Sequence, residues 1–351
     1  MTAQDRPTDE RSAEMKELSE RRGIDDRLAL LEGEAVTQVI RETAKGEDRP
    51  LVWQRVPAMA GEDPTYYDRP VIKDPVWKWA VPAYFFTGGA AGAAAVLGAA
   101  AQLVDAEGLR GLVERCRWIA AAGTAAGSAL LIYDLGRPAR FMNMLRVFRP
   151  TSPMNLGSWV LAASSGLAGA SAVLGEGSLG TVGDVAALGA GALGIPLAGY
   201  TSVLLSNTAV PVWLQIRRSL PALFYSSAAS TAASVLETMR LSEREHAIVE
   251  RFGLLGKVAE LVSSVAVERQ ASEIETVGKA LTEGLAGSLM LAGRALTGGS
   301  AIVSVFAKGR RTRIASGMMG VAGALAIRLG VFQAGKASAR DPRATFHQQR
   351  S

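Results

Sequence analysis

Residues 133–159 read YDLGRPARFMNMLRVFRPTSPMNLGSW, which sets one aspartate and four arginines between two apolar segments. A carboxylate at such an edge is suited to accept a proton, because partial burial moves its pKa toward neutrality. Asp134 is the candidate for that role. The pattern also fits a structural latch, and on pattern alone that is the stronger reading. An aspartate at a helix C-terminus lies at the negative end of the dipole and needs a cation, and Arg137 follows within a turn. Arg137, Arg140 and Arg149 also suit a solvated loop, a partner contact or anionic lipid headgroups.

A second set of groups lies inside apolar runs: Glu237, Lys257, Glu260 and Arg294. Each charge at mid-membrane costs about 2.5–3.5 kcal/mol on an insertion scale, so such groups are either paired inside a bundle or used. Lys257 and Glu260 are three apart and placed to pair on one helix face. A proton route through these four groups and a static ion-pair network are both consistent with the spacing.

What is missing matters as much. The single cysteine, Cys116, excludes an internal disulfide framework and a cluster ligated by this chain. Set among charges in VERCRW, it reads as an inert interfacial residue. The two histidines, His246 and His347, lie outside the apolar runs, so no bis-histidine haem fits. The expectation is a chain with no haem, no iron–sulfur cluster and no metal of its own.

The elements that position these groups are apolar runs of about 20 residues, the length needed to cross a bilayer as helix. They fall near 79–104, 115–133, 154–175, 185–209, 219–239, 248–267, 284–307 and 312–334. This predicts an all-α integral membrane bundle of about eight transmembrane helices, because glycine and alanine are scattered without the alternation of a barrel strand. The run at 248–267 is the weakest, since it carries Glu250, Arg251, Lys257 and Glu260; it is either buried in the bundle or interfacial. Gly88, Gly89 and Gly92, with Gly189, Gly191 and Gly194, are placed to let helix backbones approach closely. In the opening stretch, Gly136 and Pro138 stop one helix, while Thr151 or Ser152 with Pro153 starts the next.

The organisation follows. Residues 1–77 form a polar tail with 12 Lys/Arg against 17 Asp/Glu, while the rest holds 26 against 16. Within the tail, Asp25 to Glu42 has the spacing of an amphipathic helix; the tail reads as a partly disordered extension or a docking arm. The bundle occupies 78–335, and 336–351 is a basic C-terminal tail. The first apolar run begins only near Val81, so the N-terminus does not read as a signal peptide. The mean hydropathy is +0.17 and the pI near 9.5, but the positive charge sits in short gaps between apolar runs rather than on a nucleic-acid-binding surface. The arginines at 134–153 and 210–218 favour cytoplasmic termini in a cell-membrane protein, and KGRRTR at 308–313 dissents.

DLGRPARFMNMLRVFRPTSPMNLGSW resembles the signature of the polysulfide reductase membrane subunit (NrfD-type) family. YYDRPVIKDPVWKWAVPAYFFTGGAAG resembles that family's entry into its first helix, and GYTSVLLSNTAVPVW and RLGVFQAGKASARDP resemble its later segments, in order, over roughly residues 66 to 343. The resemblance implies an eight-helix subunit that interacts with quinone or quinol near one membrane face. It implies that electrons pass to or from an iron–sulfur, ferredoxin-like partner, which serves a molybdopterin catalytic subunit. It places Tyr200 at the quinone, with Thr201 beside it, although Tyr200 also reads as an interfacial aromatic anchor; Asp134 as proton acceptor and Arg137 as a quinone contact are added from their own chemistry at the membrane edge. Some members carry a first-helix histidine there; this sequence has Tyr84 at about that position, which can hydrogen-bond but is no neutral-pH base. Two other readings stay open: a membrane anchor with a vestigial quinone site, and a transporter lined by Lys257, Glu260 and Arg294. Against the transporter, no inverted repeat is evident. No nucleophile–base–metal set supports a free-standing enzyme.

Overall fold

The computed structural model describes residues 72–350, apart from 74, 76, 176, 307 and 308. The expected helix at Asp25 to Glu42 and the rest of the tail through residue 71 lie outside the described residues. The described residues form twelve helices and no strand, an all-α membrane bundle.

The long helices are α1 (Ala80–Asp105), α2 (Arg110–Leu135), α4 (Pro153–Leu174), α5 (Gly180–Ser206), α7 (Leu220–Glu237), α8 (Glu243–Ser272), α10 (Gly284–Phe306) and α11 (Arg310–Arg340). Short helices lie between or after them: α3 (Pro138–Arg146), α6 (Pro211–Gln215), α9 (Glu275–Thr282) and α12 (Pro342–Arg350). Each expected apolar run coincides with one long helix. Six of these, α1, α2, α4, α5, α10 and α11, are long and apolar enough to cross a membrane. The polar composition of α7 and α8 sets them apart: α7 is serine-rich and α8 carries charges along its length.

Consecutive long helices alternate in direction. The start of α1 and the end of α11 therefore share one face of the bundle, here the near face, and the turns after α1 and α7 mark the far face. The helices fall into two groups with the same pairing order. In the first, α1 packs on α2, α4 on α5, α1 on α5 and α2 on α4; in the second, α7, α8, α10 and α11 repeat this order. The short helices α3 and α9 occupy the same place in each group. Contacts of α7 with α1 and α5, and of α11 with α1, join the two.

Local chemistry explains the boundaries. Gly136 ends α2 in the left-handed region at φ 70°, where glycine has no Cβ penalty. Ser152 caps α4, accepting from the Asn155 N–H, with Pro153 in the first turn. At the far face one carboxylate caps two helices. Glu245 Oε1 accepts from the Leu112 N–H of α2 at 2.5 Å, while Oε2 accepts from the Ser242 N–H at 2.8 Å and completes the capping box of α8. The glycines act as expected where α1 meets α5. A Cβ on Gly92 would lie 2.6 Å from the Gly194 carbonyl oxygen, so these backbones touch.

Cys116 departs from the expectation. It is fully buried beneath Gly98 of α1, in the apolar cluster with Leu97 and Leu112. Its charged neighbours in sequence project to other faces of α2, because successive residues on a helix turn by about 100°.

Candidate functional site

At the near face, Asp134 sits half-buried in the last turn of α2. Its carboxylate accepts the Lys78 backbone N–H and faces the Lys78 ammonium. The expected Asp134–Arg137 latch does not form: Arg137 is exposed at the N-cap of α3. The chain enters α1 beside the end of α2, and that places Lys78 closer than the arginine. The cation serving the α2 terminus is Arg140, whose guanidinium donates to the Leu135 carbonyl at 2.9 Å. Asn155 holds the arginine-rich loop in shape. Its Nδ2 donates to the carbonyls of Met144 and Val147, and its Oδ1 accepts from the Arg149 N–H.

Tyr84 and Tyr200 come together, with ring centroids 6.4 Å apart. Two glycines make room for them: Gly157 of α4 lies against the Tyr200 ring, and a Cβ on Gly127 of α2 would stand 3.2 Å from Tyr84. Tyr84 is 3% exposed, and its hydroxyl has no hydrogen-bond partner. Thr201 is buried with its hydroxyl likewise unpartnered, but it projects from α5 about 100° away from Tyr200. Asp134 lies seven residues beyond Gly127 along α2, about 10 Å by helical rise. Among the described residues, no hydrogen bond or ring contact joins Asp134 or Arg137 to the tyrosine pair. A near-face cavity of about 480 Å³ opens beside Val203, Asn207, Leu214 and Arg217, one turn beyond Tyr200. None of the expected site residues lines it.

The buried charges are arranged differently from the sequence expectation. Lys257 pairs with Glu237 of α7, Nζ to Oε1 at 2.7 Å, and not with Glu260. Lys257 Nζ also donates to Ser304 at 2.8 Å, and Ser316 donates to Glu237 Oε2 at 3.1 Å. The residue three positions on lies a turn deeper along α8, and the facing α7 supplies the nearer carboxylate. Glu260 is fully buried; Thr297 donates to its Oε2 at 3.5 Å and its Oε1 has no partner. Arg294 stands apart, pairing with the partly exposed Glu268 and bonding Ser264.

One central group was missed. Arg328 of α11 is 2% exposed. It donates to the Phe85 carbonyl at 2.7 Å, the Phe224 carbonyl at 2.9 Å and the Ser227 hydroxyl at 3.2 Å, and lies 4.7 Å over the Phe224 ring. Gly89 leaves the space, since a Cβ there would come within 2.8 Å of the guanidinium. The signal was present: an arginine alone in an apolar run, by the same criterion that singled out Arg294.

Among the described residues, no group of three or more His, Cys, Asp or Glu is placed to hold a metal ion. A family profile described as polysulfide reductase matches residues 65–340. The chain belongs to this NrfD-type polysulfide reductase family. It is a multi-pass membrane protein of a family whose members are membrane subunits of oxidoreductase complexes. Comparison with curated proteins finds no match.

Proposed function

We propose that this polysulfide reductase family member is the quinone-interacting subunit of its complex, carrying electrons between the quinone pool and an iron–sulfur partner docked on the near face. That partner in turn serves a molybdopterin catalytic subunit. The observation that carries the reading is the Tyr84–Tyr200 pair, with a buried Tyr84 hydroxyl that finds no acceptor in this chain. A buried donor left unmade costs about 1–3 kcal/mol, and a quinone carbonyl oxygen is an acceptor of the right kind. The near-face arginines Arg137, Arg140, Arg146, Arg149, Arg217 and Arg218 support a cytoplasmic near face in a cell membrane.

Quinol oxidation releases two protons with two electrons. Tyr84 holds an oxygen at the ring, and Tyr200 packs beside it on Gly157. Asp134, about two helical turns away toward the membrane edge, takes up a released proton, with Lys78 stabilising the carboxylate between turnovers. Neither tyrosine serves as a base at neutral pH, so the carboxylate supplies that function.

The test is the Asp134→Asn complex, purified with its partners and assayed with a short-chain quinol analogue. Asparagine keeps the shape and a hydrogen-bonding oxygen but cannot accept a proton. A loss of at least tenfold in quinol-linked electron transfer, with subunits still co-purifying, is expected. Wild-type turnover in the assembled variant would refute the proton-acceptor role. Co-purification of iron–sulfur and molybdopterin subunits with the wild-type chain tests the partner assignment.

A further inference from the structure

The second helix group contains polar chemistry that the near-face site does not use. Along α7, Ser227, Ser230, Ser234 and Glu237 recur at spacings of three and four, so they share one face. That face meets Thr297, Ser300 and Ser304 of α10, which recur in the same way. All seven are buried. Lys257 and Glu260 of α8 lie between the two rows, and Gly320 and Gly323 of α11 leave room for the hydroxyls. A Cβ at Gly323 would stand 2.6 Å from Thr297 Oγ1, and one at Gly320 3.0 Å from Ser300 Oγ.

The seam is continuous in its outer half. Ser316 links Glu237 to Ser304 through bonds of 3.1 and 2.7 Å, and Ser304 reaches Lys257 at 2.8 Å. Its outer end opens at the far face in a cavity of about 20 Å³ bounded by Glu237, His246, Glu250, Ser304, Arg313 and Ser316. That is room for a water molecule. One turn further in, the Glu260 Oε1, Ser230 and Ser234 oxygens are buried and bond to nothing in the chain. Ser227 and Ser230 approach the Glu260 carboxyl, but Ser230 makes no well-formed bond to it. A buried carboxyl oxygen and two serine hydroxyls on the facing helix, all unpartnered, suit a site for water. At the inner end, Ser227 bonds Arg328, which holds the carbonyl of Phe85, the residue next to Tyr84.

We propose that this seam is a hydrated proton path joining the aqueous phase at the far face to the level of Tyr84. Glu260 is its central proton carrier, with Lys257, Glu237 and the serines completing the outer half. Arg328 cannot release a proton and forms the inner limit as a fixed positive charge. Arg294, paired toward the outside of the bundle with Glu268, takes no part. The inference rests on the quinone reading above. Under it, one quinol yields one quinone, two electrons that leave at the near face through the partner, one proton taken up by Asp134 at the near face and one proton that leaves along the seam at the far face. Charge then crosses the membrane although the electrons do not.

The test uses the intact complex in proteoliposomes, with a short-chain quinol analogue and membrane-impermeant ferricyanide outside. Ferricyanide accepts the two electrons one at a time and selects complexes whose near face points outward. A voltage-sensitive dye reads the potential, and quinol oxidation is followed in parallel. The wild-type complex is expected to drive the lumen positive. Glu260→Gln is expected to slow that charging at least tenfold, and the Ser230→Ala/Ser234→Ala double variant severalfold. The serine variant removes two hydroxyls that make no well-formed hydrogen bond to the protein, so it decides the matter should Glu260→Gln fail to assemble. Wild-type turnover without a potential would overturn the path and leave the quinone reading standing. Wild-type charging in the tested variants would also overturn it. An absence of quinol turnover in the wild-type complex would overturn both.

Discussion

Replacing Lys257 with methionine removes the cation of the fully buried pair while keeping a side chain of similar length. Lys257 is 0% and Glu237 7% exposed, with 2.7 Å between the charged atoms. Removing one partner of a buried pair typically costs about 3–5 kcal/mol, because the other charge is left uncompensated. Here Glu237 keeps two hydroxyl donors, Ser304 at 3.2 Å and Ser316 at 3.1 Å, which places the expected loss near the lower limit, about 3 kcal/mol. At roughly 2–4 °C per kcal/mol for a chain of this size class, the melting midpoint falls by roughly 6–12 °C. Tryptophan fluorescence in mild detergent follows it, since Trp213 is buried in the bundle. The double variant Glu237→Gln/Lys257→Met carries no charge and is expected to recover to within about 1 kcal/mol of wild type. A Lys257→Met protein melting within 2 °C of wild type would refute the pairing argument. So would a double variant no more stable than the single one.

Two further perturbations probe the frame. Gly92→Val forces a branched side chain against the Gly194 carbonyl oxygen and is expected to cost at least about 1–3 kcal/mol; the yield of folded protein after detergent extraction reads the loss, and a wild-type yield would contradict the close α1–α5 approach. Glu245→Ala removes caps from α2 and α8 together, at about 0.5–2 kcal/mol for each helix. Hydrogen exchange should then accelerate at the Leu112 and Ser242 amides, and unchanged protection at both would show that the shared cap contributes little.

The near-face boundaries were legible because they depend on local chemistry. Gly136, Ser152 and Pro153 act within four residues of themselves, and the Gly92–Gly194 approach follows from small residues placed on helices that must pack. Partners drawn from distant helices were not legible. Spacing along α8 pointed Lys257 toward Glu260, whereas the nearer carboxylate comes from α7, across a turn whose geometry no local pattern specifies. The same applies to Asp134, whose facing cation is Lys78 from the segment entering α1. Arg328 was overlooked for a different reason: its partners are backbone carbonyls and a serine hydroxyl, so no acidic residue in the sequence advertised it. The Tyr84–Tyr200 contact was reached through family resemblance, since neither residue's spacing implies that α1 and α5 bring their near-face ends together.

Arg328 also bears on how the bundle can move. Its guanidinium bonds second-turn carbonyls of α1 and α7, the leading helices of the two groups. A rocking motion of one group against the other, as an alternating-access carrier requires, would pull at least one of these bonds apart. With each bond to a charged group worth about 1.5–3 kcal/mol, that motion meets a barrier at the junction between the halves. The arginine acts as a rivet. A scaffold fastened in this way suits a subunit that must keep an electron donor and acceptor at fixed separation, and it is poorly suited to carrying a solute across by changing shape.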